Sequence, residues 1–260
     1  MNVMARADAM ANAEWSDLAD ELDRWEEAGR VAALWWRDDD AAAMTPGLAR
    51  LLGLAGAVPL ALAVIPADAD GQLAVALRPL ANVAVLQHGW RHANHAAAGK
   101  KSEFPPERAA ALVAADLAAG RERLAALFGA AALPVLVPPW NRFAPAFERL
   151  LAAAGIAGLS AMAPRRPPPL DPHIAALDVH VDLVAWRGDR GFIGEAAALG
   201  LLVSALRARR LGLADAAAPT GVLTHHLLLD AATGDFLARL TALVTAHPAA
   251  RWADIRERLR

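Results

Sequence analysis

The stretch VAVLQHGWRHANH, residues 83–95, joins a short apolar run to a cluster of histidines. Its first four residues predict a buried strand that stops at Gln87. His88 and His92 follow, and their spacing of four predicts that both imidazoles lie on one side of a helical turn. Two imidazoles at the carboxyl end of a strand are well placed to bind a metal ion.

A divalent metal site needs at least a third ligand, and a carboxylate is the best candidate. Asp38, Asp39 and Asp40 come after a second apolar run, residues 31–36, which predicts the first strand. Three aspartates after a strand also commonly solvate a turn or favour the start of the next helix. The metal hypothesis therefore depends on the two stretches coming together.

Composition excludes several classes of function. The chain has 260 residues, of which 56% are hydrophobic, enough for one large α/β domain. The net charge of −2 indicates neither a nucleic-acid groove nor an anionic membrane surface. Without cysteine, a metal must be bound by His, Asp or Glu. Because no signal peptide or membrane span is recognisable, we expect a cytoplasmic protein; the oligomeric state is not indicated.

Strand-like apolar runs alternate with helical patterns along the chain, after an amphipathic lead-in helix at about residues 15–28. Among them, Thr45-Pro46 predicts the start of a helix, residues 58–65 predict the second strand, and a further strand is expected within 174–184. This alternation predicts an α/β fold with a mostly parallel sheet, and strand counting favours a barrel of about seven strand–helix units. A proline-rich stretch at 164–172 is predicted to be a long loop rather than a boundary, so we expect one domain over 1–260. Residues of the types found in active sites follow the predicted strands at four places: residues 38–40, 88–92, 140–141 and 225–226.

In their order along the chain, these groups resemble the motifs of the polysaccharide deacetylase family, carbohydrate esterase family four, which shares the chitooligosaccharide deacetylase homology domain. The resemblance is that of a divergent member and covers roughly residues 31–226. The five motifs correspond to the aspartates within WRDDD (36–40), His-x-x-x-His (88–92), a partial match in VPPW (137–140), a loose match around 178–186, and LTH (223–225).

The resemblance implies a distorted (β/α) barrel and a metal-dependent hydrolase that removes an acyl group, typically acetyl, from an N-acylated sugar or related small molecule. It implies a divalent metal bound by Asp40, His88 and His92, with zinc as the default identity. Asp39 would be the general base, and His225 would protonate the departing amine.

Which two of the three aspartates correspond to the Asp-Asp pair of the family stays open. A small residue usually follows the pair in this family, and Ala41 follows Asp40. This favours Asp39 as the base and Asp40 as the ligand, whereas the shifted alternative uses Asp38 and Asp39. The resemblance further predicts a substrate pocket walled by Pro139, Trp140, Leu223 and Trp186, and a supporting shell of Asp38, Asp182 and Arg142. The alternating polar residues 178–182 fit a solvent-facing edge strand equally well.

One departure from the family bears on activity. Val137 stands where the third motif has an arginine that orients the base, and Arg142 or Arg37 could reach the same carboxylate instead. The departure leaves open an alternative function, a catalytically silent relative that binds a glycan or metabolite. The absence of an export signal favours a smaller, intracellular substrate. Other metallohydrolase barrels commonly begin with His-x-His after the first strand, which this chain lacks.

Overall fold

A computed structural model describes residues 12–163 and 171–259. The described residues form seven α-helices: α1 (Trp15–Glu27), α2 (Pro46–Ala55), α3 (Gly71–Leu77), α4 (Ala110–Phe128), α5 (Glu148–Ala153), α6 (Glu195–Arg210) and α7 (Ala231–Ala246). They also form nine strands: β1 (Ala32–Ala41), β2 (Leu60–Val64), β3 (Val83–His88), β4 (Ala132–Val137), β5 (Gly158–Leu159), β6 (Ala175–Ala176), β7 (Val181–Asp182), β8 (Thr220–His225) and β9 (Ala250–Trp252). Short 3-10 turns follow β4 and β8, at Pro139–Asn141 and His226–Leu228.

The strands form one parallel sheet in the order β6-β5-β4-β3-β2-β1-β8-β7, and β9 pairs with the first residues of β1. The sheet curls into a half-barrel with helices outside, so the predicted α/β distorted barrel is confirmed. The end strands β6 and β7 have two residues each, and within the described ranges no ladder joins them. Because all strands are parallel, their carboxyl ends meet at one rim, where sites of such folds lie.

Side chains of β1 alternate between two apolar layers, and this alternation positions the site. Trp35 packs in the barrel interior with residues such as Ala63 and Leu223. Trp36 points the other way, into the larger layer between the sheet and helices α1, α2, α6 and α7. By the same alternation, the Arg37 side chain lies in the barrel interior and the Asp38 side chain lies on the outer face of the sheet.

Local sequence signals set the starts of the helices. Thr45 caps α2 by accepting a hydrogen bond from the Leu48 amide at 3.0 Å, and Pro46 occupies the first helical position. Asp70 and Asp230 cap α3 and α7 in the same way. The predicted helix start at Thr45-Pro46 and the lead-in helix are therefore confirmed.

Strand β1 is longer than predicted. The sequence placed the aspartates after a strand ending at residue 36, but β1 continues to Ala41 and contains them. It continues because its ladder with β8 runs from Leu34 to Asp39, and because partners from β8 satisfy the buried Asp38 carboxylate. Helix α3 and strand β9 were not predicted, and the single strand expected within 174–184 is two short strands.

Two expectations concern regions outside the described residues. Most of the proline-rich stretch, residues 164–170, is outside them, so its assignment as a loop stays a prediction, as does the single domain over 1–260. Within the described ranges, no helix combines the length and apolarity that crossing a membrane requires.

Candidate metal-dependent active site

Three predicted ligands come together at the carboxyl-end rim of the sheet. The Nε2 atoms of His88 and His92 lie 3.1 Å and 3.4 Å from the same Asp40 oxygen, Oδ1. One ligand atom from each residue lies within 4.8 Å of the others. The site therefore offers two imidazole nitrogens and one carboxylate to a single ion.

The backbone brings these ligands together through unusual conformations. Asp40 has φ 70° at an irregularity where the pairing of β1 with β2 shifts register. His88 is the last residue of β3, and Gly89 and His92 have φ values of 59° and 54°. The predicted helical turn is wrong, because these positive φ values replace helical geometry between the histidines.

Hydrogen bonding prepares His88 to be a ligand. Its Nδ1 lies 3.0 Å from the Val137 carbonyl oxygen, which can only accept, so Nδ1 must donate. Nε2, beside Asp40, is then the ring nitrogen available to a metal, the arrangement typical of metal-binding histidines. A set of two neutral imidazoles and one carboxylate suits zinc and other divalent transition metals and leaves coordination positions open. The residues present therefore fit a divalent metal.

The charges of the cluster shift its pKa values. Burial acts against the Asp40 charge, but the His88 hydrogen bond and the charges of nearby histidines outweigh it and hold the pKa of Asp40 well below its ordinary value. Burial also disfavours protonated His88, yet the Asp39 charge and the Asp40 contact raise its pKa. Burial and the His88 charge lower the pKa of His92. Asp40 is therefore held as the carboxylate that a metal requires.

The predicted base, Asp39, is paired with an arginine from its own strand. Nε and Nη2 of Arg37 lie 2.8 Å and 2.9 Å from the two Asp39 oxygens, and both side chains are buried. Arg37 also donates to Ser160 Oγ at 2.7 Å and to Asn141 Oδ1 at 2.9 Å. Of the two arginines considered as partners of the Asp39 carboxylate, Arg37 is therefore the one that contacts it.

The expectation that Arg142 supports the site is wrong. Its guanidinium donates to the Lys101 backbone carbonyl at 2.7 Å, because Arg142 follows a 3-10 turn that directs it toward the loop around residue 101. The same turn brings Asn141, with φ 56°, to Arg37.

Asp38 lies on the opposite face of β1 from Asp39. Its fully buried carboxylate accepts hydrogen bonds from Thr224 Oγ1 at 2.7 Å and from His226 Nδ1 at 2.5 Å. Burial raises the pKa of Asp38, and the hydrogen bond and charge of His226 oppose this rise. Because Asp38 points away from the interior, the geometry favours the register with Asp39 and Asp40.

His225 lies on the other flank of the site, at the end of β8, which pairs with Asp39. Its ring packs edge-on against Trp186, with centroids 4.8 Å apart, and its buried Nδ1 has no hydrogen-bond partner among the described residues. Asp182 accepts hydrogen bonds from Trp186 Nε1 at 2.7 Å and from the Val184 amide at 3.0 Å. Burial raises the pKa of Asp182, and the charge of His225 opposes this rise.

The predicted pocket residues surround the same rim with different exposures. The Trp140 ring packs against His92 at 4.4 Å, and Trp186 is 48% exposed above His225. Pro139 is buried beside Gly89, and Leu223 is buried in the barrel interior. Trp140 is therefore beside a ligand candidate, His92, and Trp186 is beside the acid candidate, His225.

Several contacting residues were missed by the sequence analysis. Asn141 and Ser160 contact Arg37, and His226 contacts Asp38. Asn141 and His226 were noted as polar residues after strands, without a specific role. Ser160 also comes directly after a strand, β5, and a polar residue at the end of a strand is the feature that could have identified it.

The curled parallel sheet is the fold of solved polysaccharide deacetylases and family 4 carbohydrate esterases. A Mycobacterium smegmatis protein designated a polysaccharide deacetylase is 19% identical over 88% of this chain and 89% of its own, with a TM-score of 0.64. A family 4 acetyl xylan esterase from Clostridium thermocellum, solved with a cobalt ion, is 12% identical over 86% and 89% of the two chains, with a TM-score of 0.53. The chitin deacetylase from the fungus Colletotrichum lindemuthianum is 13% identical over 88% of each chain, with a TM-score of 0.54.

These similarities confirm, at the level of the fold, the resemblance noted from the sequence. No protein-family model matches the chain, and no curated protein matches it by sequence.

Proposed function

We propose that this chain is a metal-dependent hydrolase that removes an acyl group, acetyl in the first instance, from an N-acylated sugar or a related small molecule. The observation that carries the proposal is the convergence of Asp40, His88 and His92 on one point, with Asp39 and His225 on adjacent strands beside it. The residue types are those that amide hydrolysis requires: metal ligands, a base and an acid.

Asp40, His88 and His92 would hold the metal, with zinc as the default identity. A divalent ion bound there would polarise the acyl carbonyl and lower the pKa of water to about 7. The hydrogen bond of His88 to the Val137 carbonyl fixes the ring orientation that this role needs. The similar acetyl xylan esterase structure contains cobalt, which supports a transition metal as the occupant.

Asp39 would take the proton from the attacking water. Arg37 holds this carboxylate through two N–O contacts, and Asn141 and Ser160 hold Arg37 in turn. The Nη2 contact to Oδ2 is a hydrogen bond and the Nε contact to Oδ1 is an ion pair, and contacts at both oxygens limit rotation of the carboxylate. Arg37 would therefore do for the base what the third-motif arginine does in the family that the chain resembles.

His225 would donate a proton to the departing nitrogen. An amide needs this proton, because an amine anion is a very poor leaving group, whereas an ester depends on it less. Trp186 packs on the His225 ring and binds Asp182, so the three side chains form one unit. This unit would hold in place the proton donor that an amide substrate needs.

The alternative, a catalytically silent protein that binds a glycan or metabolite, was supported by the valine at position 137. The contacts of Arg37 with Asp39 remove much of that support, since the base candidate has its guanidinium partner. We therefore rank the hydrolase first.

Acetate release tests the proposal. Chelator-treated protein is reconstituted with zinc or cobalt and assayed on N-acetylglucosamine oligomers, with Asp39→Asn, Asp40→Ala and an exposed control, Asp20→Asn. We expect Asp39→Asn to retain the metal and lose turnover, Asp40→Ala to lose both, and Asp20→Asn to behave as wild type. Metal-loaded wild-type protein that binds these sugars but releases no acetate would favour the silent alternative.

A further inference from the structure

A buried carboxylate outside the ligand set holds the loop that carries His92. Glu103 has no solvent exposure, and its side chain accepts hydrogen bonds from two backbone amides. The Arg91 amide donates to Oε1 at 2.8 Å, and the Trp90 amide lies 3.2 Å from both oxygens. Both amides belong to the segment between the two histidine ligands.

The Glu103 carboxylate fills the space beside Gly89 together with the Pro139 ring. Gly89 has φ 59°, and a Cβ atom there would lie 1.8 Å from Glu103 Oε2. The loop is also tied at Gly89, whose amide donates to the Val137 carbonyl, and at Trp90, whose carbonyl accepts from the Ala67 amide. Among the described residues, Arg91 and His92 form no backbone hydrogen bond to a strand, so the Glu103 bond to the Arg91 amide is the backbone contact nearest to His92.

Glu103 is itself held by contacts independent of β3. Arg108 donates to its carbonyl at 3.2 Å, and the neighbouring Ser102 carbonyl accepts from the His95 amide at 2.8 Å. The next residue, Phe104, bridges to Phe143. The carboxylate is thus presented to the loop by a fixed segment.

We propose that Glu103 is a positioning residue for the metal site, which fixes the 89–92 loop so that His92 reaches the Asp40 oxygen that His88 also contacts. The inference rests on the proposed metal site. His92 has φ 54°, a conformation that a non-glycine residue keeps only where its surroundings impose it. Removing the acceptor for two amides releases the loop to relax, and His92 moves out of ligand geometry.

Zinc affinity of the full chain tests this role. Glu103→Gln keeps the size of the side chain but replaces one acceptor oxygen with an NH₂ group that faces amide donors. We expect zinc to bind about 10- to 100-fold more weakly, the range for residues that orient ligands. The matched control is Glu107→Gln, because exposed Glu107 also accepts from a backbone amide, that of Ala97, outside the histidine loop. It should bind zinc as wild type does.

A double-mutant cycle separates positioning from general stability. In a His92→Ala background, Glu103→Gln should have no further effect on zinc affinity, since the ligand through which it acts is gone. An equal loss in both backgrounds would overturn the proposal, and so would unchanged affinity in the single variant. A second zinc ion per chain that disappears with Glu103→Gln would overturn it too, since Glu103 would then be a ligand beside His95 and Asp116.

A metal-free readout keeps the inference separate from the proposed function. If wild-type protein binds no zinc, the metal site fails, and amide hydrogen exchange at Trp90 and Arg91 then decides the role of Glu103. These amides should exchange at least about tenfold faster in Glu103→Gln than in wild type or Glu107→Gln, because one acceptor oxygen remains for two donors and the new NH₂ group faces them. Equal exchange rates in the three proteins would refute the positioning role.

Discussion

The guanidinium of Arg37 and the carboxylate of Asp39 lie two residues apart on β1 and contact each other through two N–O pairs inside the barrel. The contact exists because residues i and i+2 of a strand share a face. If β1 ended at residue 36, as the sequence predicted, Arg37 and Asp39 would lie outside the strand and would not have to share a face.

Breaking this pair should destabilise the fold. Arg37→Met leaves a buried carboxylate without its cation, and we expect the free energy of unfolding to fall by about 3–5 kcal/mol. Adding Asp39→Leu to Arg37→Met should recover most of that loss while hydrolysis stays absent, because no buried charge remains. Urea unfolding followed by circular dichroism measures both variants. A single variant as stable as wild type would contradict the pairing.

Acid should weaken the metal-free protein through Asp40. Its pKa is lowered in the folded state, so the charged carboxylate contributes stability above the ordinary value of 3.8 and loses it as the pH falls through the folded value. The stability difference between wild type and Asp40→Asn should shrink as the pH falls below about 4. Chemical unfolding at a series of pH values tests this. A difference that grows on acidification would show the opposite shift.

Trp186 offers a test of the His225 flank. Trp186→Phe keeps an aromatic ring beside His225 but removes the Nε1 hydrogen bond to Asp182, whereas Trp186→Ala removes both contacts. We expect kcat/KM to fall by about threefold to tenfold in the first variant, the loss of roughly one hydrogen bond. The second should lose more, about 100-fold or above, with zinc content unchanged in both. Equal kinetics in the two variants would mean that the ring does not support His225.

Gly221 tests the packing of β8 against β1. A Cβ atom there would lie 2.5 Å from Trp35 Nε1 and 2.7 Å from the backbone of Val179. Gly221→Ala should therefore cost about 1–3 kcal/mol of unfolding free energy. The control is Gly53→Ala in helix α2, where nothing lies within 4 Å and alanine should stabilise by up to about 1 kcal/mol. Thermal unfolding of the two variants should move in opposite directions.

The sequence predicted the parts of the fold whose signal is local. Strands β2 and β3 are continuous apolar runs because both of their faces are buried, and their positions were predicted within two residues. The end of β1 was missed because its polar residues are satisfied by partners far away in the chain, such as Thr224. No pattern in the sequence around Asp38 indicates that it pairs with Thr224.

The ligand residues were predicted, but the geometry that unites them was not. A spacing of four fits a helical turn, yet positive φ values at Gly89 and His92 place the two imidazoles together by another route. Arg37 and Arg142 were both candidates for the Asp39 carboxylate, and strand parity decides for Arg37. Glu103 carried no recognisable motif, since its role depends on backbone amides.

Placing the guanidinium and its carboxylate on one strand leaves the loop after β4 a single supporting contact with that pair, the hydrogen bond that Asn141 accepts from Arg37. Changing Arg142 while Asn141 is kept leaves the ion pair anchored by β1 and its neighbours in the sheet. This region is accordingly the natural place to redesign ligand preference, because changes there remodel the entrance without disconnecting the carboxylate from its cation.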